Sequence, residues 1–111
     1  MKTQAQKNEQ KIVNEFRRLL ISLKKTICDD YQVEGAEENA PPCMQVTFGM
    51  SRNEAGELSW NYQTGDNSFT GGAYSHPAWG VVYLSRRSNS LNLAHMAFEE
   101  CFGHLDDCTI A

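Results

Sequence analysis

No run of apolar residues in this sequence approaches the ~20 that a membrane-crossing helix needs. Its opening, MKTQAQKNEQ, lacks the apolar stretch of a secretory signal, so a cytoplasmic setting is the expectation. Glycine and proline together make up only 11 of 111 residues, which excludes collagen-like and low-complexity chains. With 41% hydrophobic and 22% charged residues, the chain is neither disordered nor a coiled-coil rod. Signatures of known chemistry are missing as well. There is no nucleophile elbow and no second carboxylate at a diagnostic spacing, and the glycine-bearing stretch TGDNSFTGG lacks the Lys-Ser/Thr end of a phosphate-binding loop. No motif implies a cofactor.

What remains is enough for one domain, since a chain of this length buries about 65% of its unfolded surface. The net charge of −4 is unevenly spread. Residues 1–27 carry seven basic side chains and two acidic ones, and residues 28–111 carry three arginines against twelve acids. The basic part reads as a solvated helix face, which makes nucleic acid an unlikely partner for so acidic a chain. The four cysteines, Cys28, Cys43, Cys101 and Cys108, read as reduced thiols in a cytoplasmic protein.

Ile12, Phe16, Leu19, Leu20, Leu23 and Ile27 recur at helical spacing and predict an amphipathic helix ending near Cys28. Thr3 and Gln6 have the spacing of a capping box, which puts the start near Gln4. Such a helix is ~37 Å long, longer than the domain is wide, so residues 1–10 are expected to overhang or fray. Residues 29–44 read as an acidic linker closed by Pro41-Pro42. Three strands follow. Gln45–Ser51 and Leu58–Gln63 alternate apolar and polar residues around the turn Asn53-Glu54-Ala55-Gly56, and Trp79–Ser85 follows the long connection 64–78. Ser88, Asn89 and Ser90 offer caps for a second helix whose apolar side includes Leu91, Ala94, Ala97, Phe98 and Cys101. The expected fold is α+β: a two-layer sandwich in the order α-β-β-β-α, with a three-stranded antiparallel meander and both helices on one face.

Strands one and two are apolar on one face only. Strand three carries Trp79, Val81 and Tyr83 on one face and Val82 and Leu84 on the other. At a sheet edge such a strand invites pairing with another chain, so Val81, Val82, Tyr83 and Leu84 are candidates for a homodimer interface. The alternatives are that the 64–78 connection covers it, or that it is central in a different strand order.

Six of the eleven aromatic residues fall between Trp60 and Tyr83. Aromatic side chains with polar tips suit binding surfaces, and a long connection without regular structure is often functional. Trp60, Tyr62, Asp66, Tyr74, His76 and Trp79 are therefore the candidate ligand- or partner-binding residues. The leading reading is a non-catalytic binding protein, a homodimer that presents this aromatic surface to a protein partner. A second reading is a small-molecule pocket under the 64–78 connection. A third is an enzyme using His76, with Ser75 or Asp66 beside it. Cys101, His104 and Cys108 have metal-like spacing. On one helix, however, the two cysteine Cα atoms lie ~10.5 Å apart, too far for easy sharing of one ion, so no metal is assigned. The stretch from Trp60 to Asn89 resembles segments of small bacterial accessory proteins, a resemblance that carries no residue roles.

Overall fold

The structure, a computed structural model, describes residues 3–28, 41–65, 73 and 76–108. Helix α1 (Gln4–Lys24) is followed by strands β1 (Cys43–Arg52), β2 (Leu58–Thr64) and β3 (Ala78–Ser85) and helix α2 (Ser90–Cys108). The order is the α-β-β-β-α of an α+β protein.

Local chemistry sets the ends of these elements. Thr3 Oγ1 accepts the Gln6 N–H while Gln6 Oε1 accepts the Thr3 N–H, which completes the capping box at the start of α1. The helix ends at Lys24, four residues before Cys28, where the Thr26 hydroxyl donates to the Leu23 carbonyl at 2.7 Å. Between β1 and β2, Gly56 sits at φ 84° and donates to the Asn53 carbonyl. Asn53 Oδ1 accepts the Glu57 N–H. This is the left-handed position that glycine fills without strain. Asn89 caps α2, its Oδ1 accepting both the Leu91 and Asn92 N–H groups at 3.1 Å. Gly103 is accommodated inside that helix and meets nothing.

Strand order departs from a meander. The sheet runs β2-β1-β3, with β1 central and antiparallel to both neighbours. Strands β2 and β3 are therefore parallel to each other, and the connection between them has to cross the sheet. Parallel strands need a crossover of about a dozen residues, which accounts for the length of the segment after Thr64. Its path shows at two described residues. A side chain at Gly49 would start 2.4 Å from the Ala73 carbonyl oxygen and 2.9 Å from the His76 ring. At Gly49 the crossover thus rests on the sheet face away from the helices, where Thr47, Gly49 and Ala73 are buried.

The other sheet face packs on the helices. Met44, Val46, Phe48 and Met50 of β1 join Ile12, Val13, Phe16 and Leu20 of α1 and Ala94, Ala97, Phe98, Cys101 and Leu105 of α2 in one core. Phe16 stacks on Phe48 at 4.3 Å between ring centroids and meets Trp60 edge-on at 4.8 Å. Two long side chains tie the ends of the helical layer. Lys24 Nζ donates to the Ser88 carbonyl at 2.7 Å, and Arg86 Nε donates to the Ile27 carbonyl at 3.0 Å. Among the described residues, no helix is long and apolar enough to cross a membrane.

Candidate binding surface

The two ends of the aromatic region separate onto opposite faces and opposite edges of the sheet. Register makes this unavoidable. Trp60 pairs with Met50 and Tyr62 with Phe48, so both share the helix-side face. Trp79 pairs with Gly49, Val81 with Thr47 and Tyr83 with Gln45, so these three share the outer face. A single pocket lined by Trp60, Tyr62, His76 and Trp79 is therefore not formed. Asp66 and Tyr74 lie outside the described residues.

Trp60 is structural. Its Nε1–H donates to Glu15 Oε2 at 2.7 Å, and its ring packs against Phe16 and Phe48. Tyr62 is 41% exposed beside it, with ring centroids 6.3 Å apart. His76 is half-buried and donates its backbone N–H to the Ala73 carbonyl at 3.2 Å. At Gly49 the crossover lies in direct contact with the sheet, leaving no space for a ligand at that point. Gln63 Oε1 accepts the Ala73 N–H at 3.2 Å, which fastens the crossover to β2.

The interface candidates also divide. Val82 and Leu84 are 3% and 0% exposed and belong to the core, so their side chains take no part in an interface. Trp79 and Tyr83 are 42% and 58% exposed, with half-buried Val81 between them. These three form a continuous row on an edge strand. The strand itself, AWGVVYLS, contains no charged residue and no proline over eight positions. Charges, prolines and shortness are the usual means by which edge strands avoid pairing, and β3 has none of them.

Among the described residues, no three metal-ligating side chains come together. Helix α2 runs unbroken from Cys101 past His104. Cys101 is buried and its Sγ–H donates to the Phe48 carbonyl at 3.4 Å, whereas His104 is exposed. The side chain of Cys108 lies outside the described residues. Burial, with the Glu100 charge adding to it and a backbone hydrogen bond opposing, pushes the Cys101 thiol from its ordinary 9.0 up to about 12. It is a core thiol, inert as a nucleophile.

Two features of the structure escaped the pattern reading. Thr47 and Gly49 look like solvent-facing positions but are buried, and the signal was the glycine itself, which inside a strand marks close backbone approach. Lys24 and Arg86 look like surface charges but close the two helix ends onto neighbouring carbonyls. Compared with family models, with curated proteins and with solved structures, the chain matches none.

Proposed function

We propose that this chain is a non-catalytic binding protein whose working surface is the open edge and outer row of β3. It takes up an extended polypeptide segment by strand addition. The observation that carries this is the pairing of two properties on one strand: β3 is an edge with eight uncharged, proline-free residues, and it exposes Trp79 and Tyr83 side by side with Val81. Backbone N–H and C=O groups along such an edge supply affinity, and alternate side chains supply selectivity. Tyrosine and tryptophan bring large contact area at low entropic cost. His76, the residue a catalytic reading would use, is half-buried against the Gly49 backbone, and Ser75 and Asp66 lie outside the described residues.

The test is a panel of extended peptides, eight to ten residues long, followed by backbone NMR shifts. The expected result is a set of perturbations running along Ala78–Ser85 and including the Trp79 indole. Perturbations confined to β2, or to the hollow lined by Pro41, Pro42, Ser85, Arg86 and Arg87, would replace this reading.

A further inference from the structure

Resting on that reading, we infer that the segment taken up by β3 is β3 of a second copy of this chain. The two strands run antiparallel about a two-fold axis through Val81, which joins the two sheets into one of six strands.

Geometry restricts the choice. A two-fold axis perpendicular to a sheet makes residue i of one strand face residue j of the other with i + j constant and even, so each outer face continues into the other outer face. Three registers centre on the middle of β3: through Gly80, through Val81 or through Val82. The Gly80 register sets Trp79 against Val81 of the second copy. The Val82 register sets Trp79 against Ser85 and Val81 against Tyr83. Only the Val81 register sets Trp79 of each copy opposite Tyr83 of the other, twice, with the two valines between them. Aromatic cross-strand pairs are the favourable ones, and this register converts both exposed rings of the strand into such pairs.

One further feature favours a second copy as the occupant, and one opposes it. The strand itself brings no charge to the axis, but Glu100 of each copy, over Gly80, comes near it on the helix side, so pairing should tighten as added salt screens the two negative charges. The apolar surface also continues past the strand on the helix side. Glu100 of α2 lies directly over Gly80, with its side chain 3.0 Å from where a Cβ would stand. Met96, one turn before Glu100 on the same helix face, is 57% exposed. Gly103, three residues after Glu100, adds no side-chain bulk. The open edge of β3 is therefore flanked by Trp79 and Tyr83 on one face and by Met96 on the other. A two-fold pairing covers both flanks at once, bringing the α2 helices alongside each other.

The experiment is site-directed cross-linking in full-length protein with Cys28, Cys43 and Cys108 changed to serine. Cys101 stays, since it is buried and bonded to the Phe48 carbonyl. Directly opposed residues in an antiparallel pair have Cα atoms about 4.5–5.5 Å apart, within the span of a disulfide. Shifting the register by two residues moves the two Val81 positions ~6.6 Å along the strand, for a separation of about 8 Å, beyond the roughly 7 Å limit. Under mild oxidation, Val81→Cys is expected to give a disulfide-linked dimer, while Ser59→Cys on β2 stays monomeric. Thermal unfolding checks that both variants are folded. Tyr83→Ala, tested without a cross-link, is expected to weaken association at least tenfold in sedimentation equilibrium.

A wild-type protein that sediments at 12.5 kDa at all accessible concentrations would overturn the self-pairing while leaving the peptide panel to decide the edge reading. Cross-linking by Gly80→Cys and not by Val81→Cys would overturn the register. A dimer unaffected by Tyr83→Ala and unlinked by any β3 cysteine would overturn self-pairing through β3, the peptide panel again deciding the edge reading.

Discussion

The two edges of this sheet differ in their outer faces. Strand β2, LSWNYQT, is as free of charge and proline as β3 and leaves Tyr62 41% exposed on its inner face. Its outer face is Ser59, Asn61 and Gln63; Ser59 bonds Ser51 across the pair at 3.0 Å, and Asn61 Oδ1 accepts the Tyr62 N–H at 2.8 Å. Its inner face is held by α1, through the Trp60–Glu15 hydrogen bond and the Phe16–Trp60 contact. The β3 edge has an equally well-packed inner face, with Val82 and Leu84 in the core, yet its outer face leaves Trp79 42% and Tyr83 58% exposed. An apolar row on the outer face of one edge, where the other edge presents polar side chains, is the difference on which the proposed strand addition rests.

The two tryptophans allow the sharpest attempt to break this comparison. Trp60→Ala removes a packed ring and leaves Glu15 without its donor, so unfolding in denaturant should show a loss of about 3 kcal/mol. Trp79→Ala, at a residue 42% exposed, should cost less, about 1.5 kcal/mol. Equal losses at both positions would mean that the two edges are alike. Gly49→Ala tests the strand between them. Its new methyl meets the Ala73 carbonyl oxygen at 2.4 Å, a backbone atom that cannot swing aside. A loss of about 2 kcal/mol in the same assay is expected, and an unchanged midpoint would show that the crossover does not rest on β1.

A pH series separates the shared interior from both edges. Cys101 in the folded chain keeps its proton up to about pH 12, whereas in the unfolded chain it gives it up near 9.0. The folded state therefore binds the extra proton between these values, and stability falls as pH rises through that window. The contribution is complete below pH 9. Cys101→Ala should flatten this part of the stability curve; the slope should be the same in variants of either edge. The smallest expected effect is Val81→Lys, which leaves the fold within about 0.5 kcal/mol of the parent while placing a charge at the centre of the β3 row. Its readout is association, which should be lost.

Much of this fold is legible in the sequence, for identifiable reasons. The Thr3–Gln6 box, the Asn53–Gly56 turn and the Asn89 cap are each written in residues three or fewer positions apart, so local chemistry alone fixes them. The alternation of β2 and β3 likewise shows which side chains share a face. Strand order is not local. Period-two patterns say which way a residue points and nothing about which strand lies beside it, so a meander and the observed β2-β1-β3 order read alike. Two residues held the missing information. Gly49 calls for a backbone close above it, and a segment of more than a dozen residues after Thr64 suits a crossover better than a hairpin. The aromatic cluster misled for a related reason. Trp60 and Trp79 are close in sequence, but the crossover between them carries the chain to the other edge, where the register turns the second ring to the opposite face.

The most direct test of the account is amide hydrogen exchange on the wild-type chain across a hundredfold range of concentration. The account predicts that alternate amides of Ala78–Ser85, those turned away from β1, gain protection as concentration rises, while the amides of β2 exchange at unchanged rates. Exchange along β3 that ignores concentration, or protection that appears on β2 instead, would contradict it.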